Sequence, residues 1–131
     1  MKLGKQTIKL ETKPCIYSTS SVVGPKEMDG PLSQYFELHI KDVFFDEKTF
    51  EKAESKMLET CINNLLVKSG VTQNDIDAIF SGDLLNQCIS SGFAMRNFDV
   101  PFLGLYGACS TFCEGLLLSS LLIELKSAKQ V

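Results

Sequence analysis

Among the side chains of this 131-residue chain, Cys109 stands in the setting best suited to chemistry. Pro101 opens the apolar run Phe102-Leu103-Gly104-Leu105-Tyr106, which reads as a buried strand, and Thr111 opens an apolar helix. Gly107-Ala108-Cys109-Ser110 is then the turn between a strand and the amino terminus of a helix. Unpaired backbone N–H groups and the positive end of the helix dipole favour a thiolate at such a place. Gly107 and Ala108 are small, which permits a sharp turn and leaves room for a ligand beside the sulfur. The competing reading of Cys109 is an inert, buried, apolar residue, as most free cysteines are. Cys15, Cys61, Cys88 and Cys113 take that inert reading, because none stands at a turn of this kind.

A second segment, Ser81-Gly82-Asp83-Leu84-Leu85-Asn86-Gln87, also follows a strand-like run, Ile76 to Gly82. In open α/β folds ligands bind beyond the carboxyl ends of strands, where loops run into helices, and both segments meet that description. Asp83 there either contacts a ligand hydroxyl or a bound cation, or caps the following helix and leaves Asn86 and Gln87 exposed. Capping is the simpler of the two.

Other chemistries are excluded by composition. The chain has a single histidine, His39, with nothing to place it near Cys109, and no CxxC pair, so neither a metal site nor a cofactor is expected. Five cysteines without a paired spacing pattern fit reduced thiols in a cytosolic compartment. The net charge is -3 and the 13 basic residues are dispersed, which argues against nucleic acid as a partner. Met1 to Gln6 form no apolar signal region, and no stretch reaches the ~18 apolar residues of a spanning helix. An intracellular protein without signal peptide or transmembrane helix is expected.

The elements that must position these residues follow from periodicity. Thr7 to Leu10 and Cys15 to Val23 read as strands by alternation and β-branched content. Gly24 to Pro31 reads as a surface loop that stops any regular element, and the stretch from Leu32 to Phe45 has no clean period. Asp46 is placed to cap a helix over about 47–69, with Phe50, Ala53, Met57, Cys61 and Leu65 on its apolar face. Glu51, Lys52, Glu54, Lys56 and Glu59 form its solvated face, and Gly70 is its terminator. Thr72 to Asp75 resembles a one-turn cap, and a further helix over about 86–97 carries Ile89, Phe93 and Ala94 at helical spacing. The last helix starts at Thr111, with Glu114 completing a Thr-x-x-Glu capping box.

Strands alternating with helices in this order imply a mostly parallel sheet with crossover helices. The last helix carries Leu116, Leu117, Leu118, Leu121, Leu122, Ile123 and Leu125 around nearly its whole circumference. A helix without a polar face needs cover on every side. The other elements cannot supply it within 131 residues, so a further half or a second copy is expected to pack there.

The run Gly104-Leu105-Tyr106-Gly107-Ala108-Cys109-Ser110-Thr111 resembles the nucleophile turn of thiolase-fold condensing enzymes, in which a cysteine at the start of a buried helix takes an acyl group. Gly24-Pro25-Lys26-Glu27 with Gly30-Pro31-Leu32, Asp75-Ile76-Asp77 with Gly82-Asp83-Leu84-Leu85-Asn86-Gln87, and Pro101-Phe102-Leu103 add a narrower likeness. Together these stretches resemble the stage V sporulation protein AD family, from Met1 to Val131. The resemblance implies that residues 1–131 are a single partial domain, the amino-terminal half of a thiolase-like fold, with a buried helix after the Cys109 turn.

The function this resemblance implies is binding rather than condensation. The implied ligand is dipicolinic acid, with calcium as a candidate companion, taken up into the developing spore and released on germination. Other stage V sporulation A proteins at the spore inner membrane are the implied partners, with this chain peripheral to that membrane; a homodimer is a further candidate assembly. Cys109, Asp83, Ser110 and Asn86 are the implied ligand-binding residues, and amides around Ser110 and Thr111 at a helix N-terminus suit a dicarboxylate.

Two alternatives stay open. One is an acyltransferase of thiolase or ketoacyl synthase type with Cys109 as acyl-accepting nucleophile; the other is a non-catalytic fragment that self-associates through its apolar surface. Thiolase-type chemistry also needs a histidine and polar groups from a second half, so this chain alone is expected not to be an active acyltransferase.

Overall fold

The computed structural model describes residues 1–85 and 87–131. Its strands are short and form three two-stranded sheets. Strands β1 (Lys2–Leu3) and β2 (Thr7–Ile8) make an antiparallel hairpin with Lys2 opposite Ile8. Strands β3 (Val22–Val23) and β4 (Leu38–His39) pair in parallel, Val22 opposite Leu38. So do β5 (Ile79–Ser81) and β6 (Phe102–Gly104), with Ile79 opposite Phe102. The molecule is therefore mixed α/β with parallel pairs, as the alternation of patterns requires. One continuous sheet is not formed among the described residues. Cys15 to Tyr17, expected within a strand, are exposed and outside any ladder: β-branched content favours extended backbone, but a strand also needs a partner.

The helices are α1 (Pro25–Met28), α2 (Phe50–Ser69), α3 (Ile89–Met95) and α4 (Thr111–Glu124). Helix α1 corrects the expectation of an irregular loop. Pro25 at its first position has φ preset for a helix and lacks only an N–H that would be unpaired anyway, and Met28 N donates to the Gly24 carbonyl at 3.0 Å. Helix α2 begins three residues later than expected. Thr49, in extended backbone, is its N-cap, its Oγ1 accepting from Lys52 N at 3.3 Å, whereas Asp46 lies in a preceding turn at φ 61°. Gly70 ends α2 in the left-handed region at φ 70°, as its position predicts.

Helix α3 is shorter than the 86–97 span and turns a different face inward. Ile89 and Phe93, expected on the apolar face, are 42% and 57% exposed, while Ser90, Ser91, Ala94 and Met95 are buried. The buried face packs on α2, the most extensive element contact in the chain. Helix α4 contains no buried residue, and Phe112 is 75% exposed. Leu103 and Gly104 in β6 are exposed as well. The buried strand and buried helix expected around Cys109 are thus not buried by the described residues, which contact α4 chiefly through β5. No helix among the described residues is long and apolar enough to cross a membrane.

At the far end of the chain, Asp77 N donates to the Gln130 carbonyl at 2.9 Å, and Asp77 Oδ2 accepts from Lys129 N at 2.6 Å and Gln130 N at 3.2 Å. These amides hold the Asp77 carboxyl below its ordinary value. The N-terminal arm is fastened to the carboxyl-terminal end of α4. Glu124 accepts from Glu11 N at 2.9 Å, from Thr12 N at 3.0 Å and from Thr12 Oγ1 at 2.6 Å.

Candidate functional site

The two loops singled out by sequence meet in the structure. Leu105 N donates to the Ser81 carbonyl at 2.9 Å, continuing the β5–β6 ladder to the point where both strands turn outward. Gly82 lies directly against this junction: a Cβ there would sit 2.1 Å from the Leu105 carbonyl oxygen and 2.6 Å from Thr111 Cγ2. Cys88 closes the junction from the other side, its Sγ donating to the Leu105 carbonyl at 2.9 Å. By residue type alone Gly82 reads as a strand boundary and Cys88 as inert filler. Only the approach of two backbones distant in sequence reveals their role.

Cys109 is exposed within a tight turn, Ala108–Ser110, that leads into α4. The turn is built differently from expectation. Gly107 has φ -109°, which any residue adopts, and the left-handed residue is Ala108 at φ 48°. A Cβ at Gly107 would lie 2.6 Å from Ser110 Oγ and 2.8 Å from Glu114 Oε2, so both of those side chains would have to turn away to admit one. Ala108 accepts a strained backbone, at a cost of about 1–3 kcal/mol for such a residue.

The Thr-x-x-Glu capping box does not form, because Thr111 is already helical at φ -51°. Its Oγ1 instead donates to the Ala108 carbonyl at 2.9 Å and accepts from Gly107 N at 3.0 Å, tying the turn to α4. Ser110 is exposed; its Oγ donates to the Gly107 carbonyl at 2.6 Å and its amide to the same carbonyl at 2.9 Å. That amide is committed within the turn rather than offered to a ligand.

Asp83 is 7% exposed. Its Oδ2 accepts from Ser91 N at 2.8 Å and from Ser91 Oγ at 2.5 Å. Ser91 is the third residue of α3, so Asp83 caps that helix from a loop position, the role its sequence context favoured. Its carboxylate is directed at α3, not at Cys109. Asn86 lies outside the described residues.

Cys109 borders an open, largely apolar groove of about 620 Å³ between α2, β5 and α4. Leu58, Ile62, Phe80, Gly82, Phe112 and Leu116 are among its walls. His39 is not part of this region; its Nε2 lies 2.9 Å from the Ser33 carbonyl beside β4. Among the described residues no group of three or more His, Cys, Asp or Glu side chains is arranged to hold a metal ion.

Comparison with known proteins gives one consistent picture. The family model described as stage V sporulation protein AD matches residues 4–131. Stage V sporulation protein AD of Bacillus subtilis (strain 168) is 38% identical over 131 residues, covering 99% of this chain and 39% of that relative. The chain thus spans about two-fifths of the length of the curated relative it matches, and the match includes both the Asp83 loop and the Cys109 turn.

Proposed function

On the premise that the chain belongs to the stage V sporulation protein AD family, we propose that it acts in sporulation by binding dipicolinic acid, in uptake into the spore and release on germination. In this reading the chain is the amino-terminal half of a thiolase-like fold, and Cys109 faces the ligand. The observation that carries it is the family match across residues 4–131, with Cys109 exposed at the mouth of α4.

Physical chemistry supports a role for that turn. The positive end of the α4 dipole favours an anion beside Cys109, and the small neighbours Gly107 and Ala108 leave it approachable. Glu114 opposes a dianion, since its carboxylate stands next to Gly107 on the same turn. A calcium ion carried with the ligand would offset that repulsion. Asp83 serves the site indirectly, by fixing the loop that packs against Leu105.

A second reading is favoured by the apolar walls of the groove beside Cys109, which suit an acyl chain better than a dicarboxylate. There Cys109 would take an acyl group from a thioester, with the remaining catalytic groups supplied by chain outside these residues.

Calorimetric titration of dipicolinate into this chain, and into a chimera in which it replaces the matching part of the Bacillus subtilis relative, separates the readings. Binding by the chimera that weakens about tenfold, on the order of 1.4 kcal/mol, in Cys109→Ala is the expected result. No binding by the chimera, with covalent labelling of Cys109 by an acyl thioester, overturns it in favour of the second reading.

A further inference from the structure

Residues 1–13 form an arm that the rest of the chain holds but does not cover. Residues 1–9, which contain the β1–β2 hairpin, are all exposed, and so are 11–13. Successive residues of a strand point to opposite faces. Lys2 and its partner Ile8 therefore share one face of the hairpin, and Leu3 and Thr7 the other. Met1 and Lys9 extend that second face, with Lys9 N donating to the Met1 carbonyl at 2.7 Å. Met1 is 61% exposed, Leu3 42% and Ile8 50%, and Ile16 and Tyr17 just beyond the arm are more exposed still. A two-stranded hairpin without a buried face is marginal in water. This one is rooted by the bonds from Glu11 and Thr12 to Glu124.

The charge of the arm is opposite to that of the molecule. Lys2, Lys5, Lys9 and Lys13 stand against one acidic residue, Glu11, giving +3; the whole chain is at -3, so the residues after the arm are at -6. Glu11 lies 4.0 Å from Lys9, and among the described residues Lys2, Lys5 and Lys13 make no ion pair. We propose that this arm docks the protein on an anionic bilayer surface, its lysines among the headgroups and Met1, Leu3 and Ile8 at the boundary beneath them. A bilayer suits the arm better than an acidic protein does. A protein partner covers one face of a hairpin, whereas headgroups surround an arm that enters them, so apolar side chains on both faces leave water together and the unpaired strand edges stay hydrated.

The same surface repels the remaining charge of -6, so the arm makes the contact and the body stays off the lipid. The peripheral placement implied by the family resemblance names no contact surface; the arm supplies one. Its root lies at the carboxyl-terminal end of α4 and Cys109 at the other end, roughly 20 Å along the helix. No residue of the arm lines the groove beside Cys109, so docking is independent of the ligand taken there.

Centrifugation of the chain with vesicles of phosphatidylglycerol and phosphatidylcholine in equal parts, or of phosphatidylcholine alone, tests this without dipicolinate. The chain should bind the mixed vesicles at least about tenfold more tightly, and lose that preference between about 0.05 and about 0.5 M salt. A lysine near such a surface is worth about fivefold in affinity, so Lys2→Gln, Lys5→Gln and Lys9→Gln together should weaken binding roughly a hundredfold. Leu3→Ser with Ile8→Ser should weaken it about tenfold and leave the salt dependence unchanged. Equal binding to both compositions, as the exposed Phe112 and leucines of α4 alone would give, overturns the proposal, and this comparison needs no variant. Parental affinity in the triple lysine variant overturns it too. So does binding to neither vesicle, with capture on polyglutamate then assigning the arm to an acidic protein.

Discussion

Gly82 shows how one missing methyl group can decide whether two loops meet. The 2.1 Å separation between its would-be Cβ and the Leu105 carbonyl oxygen leaves no room for any side chain, and the obstacle is backbone, which cannot rotate away. Gly82→Ala is expected to cost about 1–3 kcal/mol by overpacking and to release the junction beside Cys109. Gly92, within α3, has nothing within 4 Å of its Cβ position, so Gly92→Ala should stabilise by about 0.5–1 kcal/mol through helix propensity alone. Urea midpoints of the two variants, shifted in opposite directions, would check both. Much of this site was legible as residue types: a small-residue turn with Cys109, and an aspartate placed to cap. What was not legible is direction. By its charge Glu54 reads as part of the solvated face of α2, yet it lies four, seven and eleven residues before Leu58, Cys61 and Leu65, on the apolar stripe itself. Its charged type obscured a spacing that already pointed inward.

At the scale of elements, length and periodicity set what could be read. Helix α2 was legible because its pattern persists over 20 residues and ends in a glycine that adopts the expected left-handed backbone. Its start was not, since Asp46, Thr49 and the intervening residues offer more than one cap. The structure selects Thr49, and Thr49→Ala should cost about 1 kcal/mol, whereas Asp46→Ala should leave helix stability nearly unchanged. Thermal unfolding followed by far-ultraviolet circular dichroism distinguishes the two. Strand β4, only Leu38–His39, escaped notice because two residues carry no periodicity; it exists because Val22–Val23 lies alongside to pair with it. Helix α3 was misplaced for a related reason. Its Ile89 and Phe93 matched a helical apolar face, but the interior is taken by Ser91, whose N and Oγ donate to Asp83, and by Ser90, whose backbone carbonyl accepts from Ser55 Oγ on α2.

Across the whole molecule, the sequence pattern implied an incomplete set of neighbours for α4, and the described residues leave that helix without a buried side chain. Contacts distant in sequence were beyond reach of any local pattern. Glu124 is one: its bonds to Thr12 and Glu11 bring its carboxyl down from 4.5 to about 2. Because the folded-state value is depressed, this contact stabilises fully above pH 4.5 and is lost as pH falls through about 2. Glu124→Gln should therefore make acid unfolding shallower over that interval, observed by fluorescence or circular dichroism. Glu37, held at about 2 chiefly by Lys68 and also by Ser21, retains its own share of the acid response in the same variant. The same clasp also orders events in time. The arm containing Glu11 and Thr12 is synthesised before the carboxylate that receives it, which lies 113 and 112 residues further on. Until that residue emerges, the arm has nothing to close against, and its attachment is a late, long-range step in folding on which an early protease cut would fall.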